Sequence, residues 1–292
     1  MAERNAKLIL MVGVLGVSAS AILVRFSQAP SGVTAAYRLG WTVLLLLPVV
    51  LLRCRAELRR VTARDLVLCG ASGVLLALHF LTWFESLKRT SVASSTVLVS
   101  TEVIFTALGF ALFLHGKIPR LGVWAILLAF GGSALLALSG GGGAGELSGN
   151  LLALATASAA AVYTLIGRIQ RGHLSTTVYT FLTYLACFLT LLLGTAAAGT
   201  PLTGYGGREW LSGLALAVLC TLLGHSLFSW CLKYLSPSYV SAAKLCEPVF
   251  SSLAAIPLFG EVPGPLQLAG GAAVLGAVLL YTWAEREKTP AG

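Results

Sequence analysis

The sequence predicts an all-α polytopic membrane protein: ten transmembrane helices arranged as two inverted five-helix repeats. Three observations carry that expectation. Hydrophobic residues make up 57% of the 292-residue chain and charged residues only 11%, where an ordinary globular domain holds about 25% charged residues. Ten apolar windows of about 20 residues can be placed, the length of helix that crosses a hydrocarbon core of about 30 Å. A gapless shift of 145 residues sets Leu87, Lys88, Ser91, Glu102 and Phe105 on Leu232, Lys233, Ser236, Glu247 and Phe250. The same shift sets Leu108, Leu121, Gly131 and Leu135 on Leu253, Leu266, Gly276 and Leu280.

The first window, 6–26, follows Arg4 and ends short of Pro30. It imitates a secretory signal, but its apolar length and its shifted counterpart near Ala153–Arg171 keep it as a span. The second, 31–52, stops at the basic run from Arg53 to Arg64. Windows 65–86 and 91–114 follow, and 119–139 lies between Pro119 and the glycines Gly140–Gly143 with Gly145. The second half offers 148–168, 175–195, 209–232, 238–259 and 263–284. They are separated by Pro201 with Gly204, Gly206 and Gly207, by Pro237, and by Pro263 with Pro265, residues that interrupt helices. The two units are 1–144 and 145–292.

Lys and Arg fix the expected orientation, because positive loops are retained in the cytoplasm. Fourteen fall on one side, among them Arg4, the Arg53–Arg64 run, Lys117, Arg168, Arg171 and Lys233, against Arg25, Lys88, Arg89 and Arg208 on the other. Both termini are therefore expected in the cytoplasm and the protein in the cytoplasmic membrane. Five helices per half force the second half to enter the bilayer upside down. Inverted repeats place a substrate site near the midplane and exchange inward-open and outward-open shapes around it.

The net charge of +9 belongs with loops facing the cytoplasm rather than with nucleic acid. The six cysteines lack metal or CxxC spacing and read as small buried hydrophobes. No HExxH, GxSxG, Walker-type loop or Asp-rich metal site occurs, so no catalytic residue, cofactor or metal is expected. The expected partners are a small-molecule substrate and the lipid bilayer, with the chain a monomer or homodimer.

Ionisable groups inside a membrane are functional candidates by default. Glu102 and Glu247 enter from opposite sides to similar depth. Lys244 lies three residues before Glu247 and could neutralise it along one helix face, while Pro248 marks a structural or gating position. Glu102 has no such partner in its own helix. It is a candidate proton carrier, unless Lys244 reaches across to it or transport is uncoupled facilitated diffusion. Arg38 either meets a carboxylate across the bundle or snorkels to the outer interface, the favoured reading. His79 and His225 are each a proton carrier or an interhelical tie. Trp83 and Trp230 either face a cavity or anchor at the interface, and Tyr163 is a further cavity candidate. Glu247 is expected to matter more than Glu261, which the sequence places in a solvent-screened loop.

Five segments, Tyr37-Arg38-Leu39, His79-Phe80-Leu81-Thr82-Trp83, Thr90-Ser91-Val92-Ala93, Glu247-Pro248-Val249-Phe250 and Leu258-Phe259-Gly260-Glu261, stand in order along the chain. In that order and spacing they resemble the EamA-type transporters of the drug/metabolite transporter superfamily. The resemblance implies a ten-helix fold with a central cavity lined mainly by helices 1, 3, 4, 6, 8 and 9, commonly used to export amino acids and other metabolites. Two departures stand out: Val103 where the family usually has proline, and Gly116-Lys117 where it often has Gly-Glu. The leading expectation is a secondary transporter, an exporter of small metabolites such as amino acids. The alternatives are an uptake carrier for an organic cation such as a quaternary amine, and a membrane-embedded lipid-handling protein.

Overall fold

A computed structural model describes residues 2–113, 120–139, 144–235, 240, 243–244 and 246–286. The expectations resting on Gly116-Lys117, Pro119, Gly140–Gly143 and Pro237 lie outside the described residues. Every regular element among the described residues is helical. In chain order these are α1 (Ala2–Ser18), α2 (Ser20–Phe26), α3 (Ser31–Arg53), α4 (Arg55–Leu58), α5 (Ala63–Arg89), α6 (Val92–Val99) and α7 (Glu102–Phe113). There follow α8 (Arg120–Ser139), α9 (Ala144–Gln170), α10 (Thr176–Ala197), α11 (Gly207–Ala215), a π-helical stretch Leu216–His225, and α12 (Ser226–Cys231). The last two are α13 (Cys246–Phe259) and α14 (Pro265–Arg286).

Seven segments are long and apolar enough to cross a membrane: Asn5–Phe26, Ser31–Arg53, Ala63–Arg89, Val92–Gly109, Gly145–Gln170, Thr176–Ala197 and Gly207–Cys231. Shorter apolar helices, Arg120–Leu135, Glu247–Phe259 and Pro265–Tyr281, fall in the three remaining windows. Large apolar side chains stand outward along them, with Leu52, Val67, Leu112 and Leu193 each about 70% exposed or more. An apolar surface of that extent needs a non-aqueous neighbour, and the chain is a multi-pass membrane protein.

The helix starts follow local chemistry. Thr62 and Asp65 form a reciprocal capping box at α5, and Ser91 and Ser175 accept from the backbone N–H of Ser94 and Val178 to cap α6 and α10. These caps satisfy amide donors that a helix start leaves open. Packing then runs α5 along α9 and α10, α3 along α10, α8 along α14, and α1 along the π-helical stretch. At Gly73 an added Cβ would stand 2.6 Å from the Thr183 carbonyl oxygen and 2.5 Å from the Ala186 Cβ. Only the missing side chain lets α5 and α10 approach so closely.

Four windows expected as unbroken α-helix are interrupted among the described residues, the ninth at the turn of Lys244. The first breaks at Ala19 between α1 and α2. There Ser18 Oγ turns back to the Val14 carbonyl at 2.8 Å, and Ser251 Oγ from α13 donates to the Ser18 carbonyl at 3.1 Å. The fourth breaks at Ser100 and Thr101, whose hydroxyls donate to the carbonyls of Thr96 at 3.0 Å and Leu98 at 2.6 Å. Hydroxyl-to-backbone bonds of this kind compete with the helical ladder. The eighth carries the π-helical turns, a form found mostly in short bulges near functional sites.

Candidate functional site

The breaks place the two intramembrane carboxylates alike. Glu102 opens α7 and Glu247 is the second residue of α13, so each carboxylate stands in the first turn of a helix, where the positive end of the dipole favours negative charge. They share one cavity. Its lining comprises Val17, Ser20, Arg38, His79, Trp83, Val99, Glu102, His225, Phe228, Lys244 and Glu247. A second, adjoining chamber is lined by Trp83, Thr96, Val99, Ser100, Glu102, Lys244 and Glu247. Space for water centres in the first is about 30 Å³, room for a water or two. A metabolite enters only when the lining parts.

Lys244 links the two halves. Its Nζ lies 3.1 and 3.0 Å from Glu102 Oε1 and Oε2, and it stands 5.2 Å from the Phe228 ring centroid. Thr164 Oγ1 on α9 donates to Glu102 Oε1 at 2.9 Å. The sequence-expected pairing of Lys244 with Glu247 gives way to this cross-bundle arrangement. Lys244 lies in the turn ahead of α13, where the Glu247 N–H donates to its carbonyl at 2.8 Å, while its side chain turns across the bundle to Glu102. Glu247 makes no side-chain hydrogen bond or ion pair with a described residue and faces the cavity. Pro248 is buried beside it.

Arg38 corrects the snorkelling expectation. It is fully buried, its Nε donates to Thr221 Oγ1 at 2.7 Å, one terminal nitrogen donates to Ser20 Oγ at 3.1 Å, and its guanidinium lies 4.2 Å from the Phe80 ring centroid. The π-helical stretch supplies Thr221, and the α1–α2 break supplies Ser20. Its other terminal nitrogen, Nη2, has no hydrogen-bond partner among the described residues. Trp83 is 4% exposed and part of the main core, which rules out an interface anchor. Its indole Nε1 likewise has no partner among the described residues.

His79 meets His225 edge-on at 6.0 Å between ring centroids, and its Nδ1 lies 3.4 Å from the Thr156 carbonyl oxygen. Tyr163 packs 6.4 Å from His225 and shares a 3.3 Å hydrogen bond with Ser229; it is behind the lining rather than in it. Trp230 lies tilted against Tyr234, with ring centroids 4.6 Å apart, and packs behind Val17 and Phe228 rather than in the lining. Sequence reasoning missed Ser20, Thr221 and Thr164, three ordinary hydroxyls whose importance arises only from the charged groups they face.

Glu261 departs most from expectation. Gly260, with φ +68°, turns the chain after α13 so that Glu261 reaches Arg25 at 2.7 Å and accepts from the Val92 N–H at 2.8 Å. Arg25 also donates to the carbonyls of Leu87 and Thr90. A residue expected to be solvent-screened therefore ties α2, α5, α6 and α13 together at one membrane face.

Among the described residues no cluster of His, Cys, Asp or Glu could hold a metal ion. Comparison with known proteins gives the class of this architecture. The chain is 24% identical over 208 residues to the pseudopaline exporter CntI of Pseudomonas aeruginosa (strain UCBPP-PA14), covering 71% of this chain and 72% of the relative. It is 27% identical over 233 residues to a protein of Streptantibioticus cattleyicolor described as a probable terminal-alkyne amino-acid exporter, covering 76% of this chain and 75% of that one. A crystal structure of a protein chain superposes with a TM-score of 0.64 at 19% identity, covering 98% of this chain and 99% of the other, a likeness of fold. The model of the EamA-like transporter family matches twice, over residues 5–138 and 147–283, and the chain belongs to that family of transporters.

Proposed function

We propose that the protein is a secondary transporter that exports small metabolites, amino acids or similar compounds, across the cytoplasmic membrane by alternating access around the Arg38–Glu102–Lys244–Glu247 cavity. The observation that carries this reading is the Lys244–Glu102 contact, made inside a water-sized cavity by residues 142 positions apart. A site of that kind between two similar halves suits a carrier that closes around its cargo. The names of the two relatives support export and amino-acid-like substrates. We read the chain as ten spans in two inverted five-helix units, 1–144 and 145–292, with both termini cytoplasmic. The paired family matches and the matching helix starts before Glu102 and Glu247 support this division.

Uptake of an organic cation is the second reading, favoured by a Glu247 carboxylate without a bonded partner among the described residues, in a lining it shares with Trp83. Arg38 and Lys244 in the same lining weigh against it. The test uses proteoliposomes loaded with a mixture of isotope-labelled amino acids. Efflux above that of empty liposomes, reduced by Glu247→Gln at equal protein density, is the expected result. Cation uptake with no amino-acid efflux would reverse the order of the two readings.

A further inference from the structure

Resting on the transport reading above, we infer that the cavity reads both ends of a zwitterion: Arg38 and Trp83 hold the substrate's carboxylate, and Glu247 holds its ammonium group. The inference begins with polar atoms that the protein leaves open. Arg38 is fully buried, yet among the described residues its bonded partners are two neutral hydroxyls and a ring face, and Nη2 has none. A buried guanidinium is costly unless an anion meets it, and its planar donors match a carboxylate. Trp83, a residue of the same lining, has a second N–H without a partner among the described residues.

Both of these groups can only donate, so the ligand atom facing them must accept. Glu247 is the complement. An ionised carboxylate can only accept, and the Glu247 carboxylate meets no described donor although Lys244 is close in sequence. Lys244 spends its hydrogen bonds on Glu102, and Glu247, which feels the charges of Lys244 and Arg38 without a bond to either, keeps its acceptor sites for a cation from outside the chain. Water can satisfy each group singly in the closed cavity, but only a ligand with an anionic and a cationic end satisfies all of them together. A simple organic cation would leave Arg38 unmet, and a simple anion would leave Glu247 unmet.

The experiment compares three labelled mixtures in proteoliposomes: free amino acids, their carboxamides, which lack the carboxylate, and their N-acetyl derivatives, which lack the ammonium group. Wild type is expected to carry at least one free amino acid ten-fold or more faster than either of its derivatives. Glu247→Gln is expected to lose preference against the N-acetyl form while keeping it against the amide, and Arg38→Gln the reverse. If Arg38→Gln does not fold, Trp83→Phe removes the open indole N–H while keeping an aromatic ring, and is expected to narrow the preference over the amide several-fold. Equal flux of an amino acid and its amide in wild type would overturn the inference, as would variants that lower all three fluxes in proportion. Absence of flux for every compound, organic cations included, would instead sink the transport reading itself.

Discussion

Lys244 Nζ and Glu102 Oε2 stand 3.0 Å apart with side chains only 17% and 5% exposed, and this contact joins residues 142 positions apart in the chain. Removing one partner of a buried pair strands the other and costs about 3–5 kcal/mol, whereas replacing both is far milder. Glu102→Gln and Lys244→Met should each lower the melting temperature in detergent. The double variant should recover a substantial part of the loss, with a coupling energy of about 0.5–3 kcal/mol. Additive losses would mean that the contact contributes nothing to stability.

Glu247→Gln and Glu261→Gln should separate function from folding. Glu247 has no partner among the described residues, so its amide variant is expected to fold normally and to transport poorly. Glu261→Gln loses the charge facing Arg25 and weakens the cap on Val92, a cost of about 1–2 kcal/mol on the scale of lost helix caps. Melting curves and flux at matched protein density check both halves of the statement.

Gly73→Ala should destabilise by about 1–3 kcal/mol, the usual cost of forcing a methyl group into a packed core. The new Cβ meets backbone atoms of Thr183 and Cys187, which cannot swing aside as a side chain could. Gly70, one turn earlier on α5 with nothing within 4 Å of its added Cβ, is the control. Gly70→Ala should leave the melting temperature unchanged or raise it.

Gly145→Cys, in a background without the native cysteines, should react with a membrane-impermeant thiol reagent in intact cells. Gly145 is exposed at the start of α9, and the proposed orientation, with both termini cytoplasmic, puts that end outside. Labelling only after the membrane is broken would overturn the orientation.

The seven helices long and apolar enough to cross a membrane were legible, because an apolar run must match the bilayer thickness whatever the tertiary arrangement. The breaks were less so. No proline or glycine marks the fourth span at Ser100 and Thr101; the interruption comes from two hydroxyls bonding back to the preceding turn, and Ser and Thr do this in some helices and not in others. Glu102 and Lys244 were both recognisable as intramembrane charges, and their meeting was one of two arrangements the sequence allowed. Arg38 misled because a position eight residues into a span suits snorkelling equally well. Its burial depends on Ser20, Phe80 and Thr221, which arrive from three other helical segments. Glu261 misled because a loop glutamate looks solvent-screened until the turn at Gly260 aims it at Arg25.

The charged side chains in the cavity lining are two of each sign, Arg38 and Lys244 against Glu102 and Glu247. With all four ionised, the carrier's centre has no net charge, and a substrate that is neutral overall adds none. A membrane potential does about 2.3 kcal/mol of work per elementary charge per 100 mV, so a balanced centre is blind to the electric field through which it reorients. Glu247→Gln leaves the centre with one positive charge in excess. Its residual flux should then vary with voltage where that of the wild type is flat.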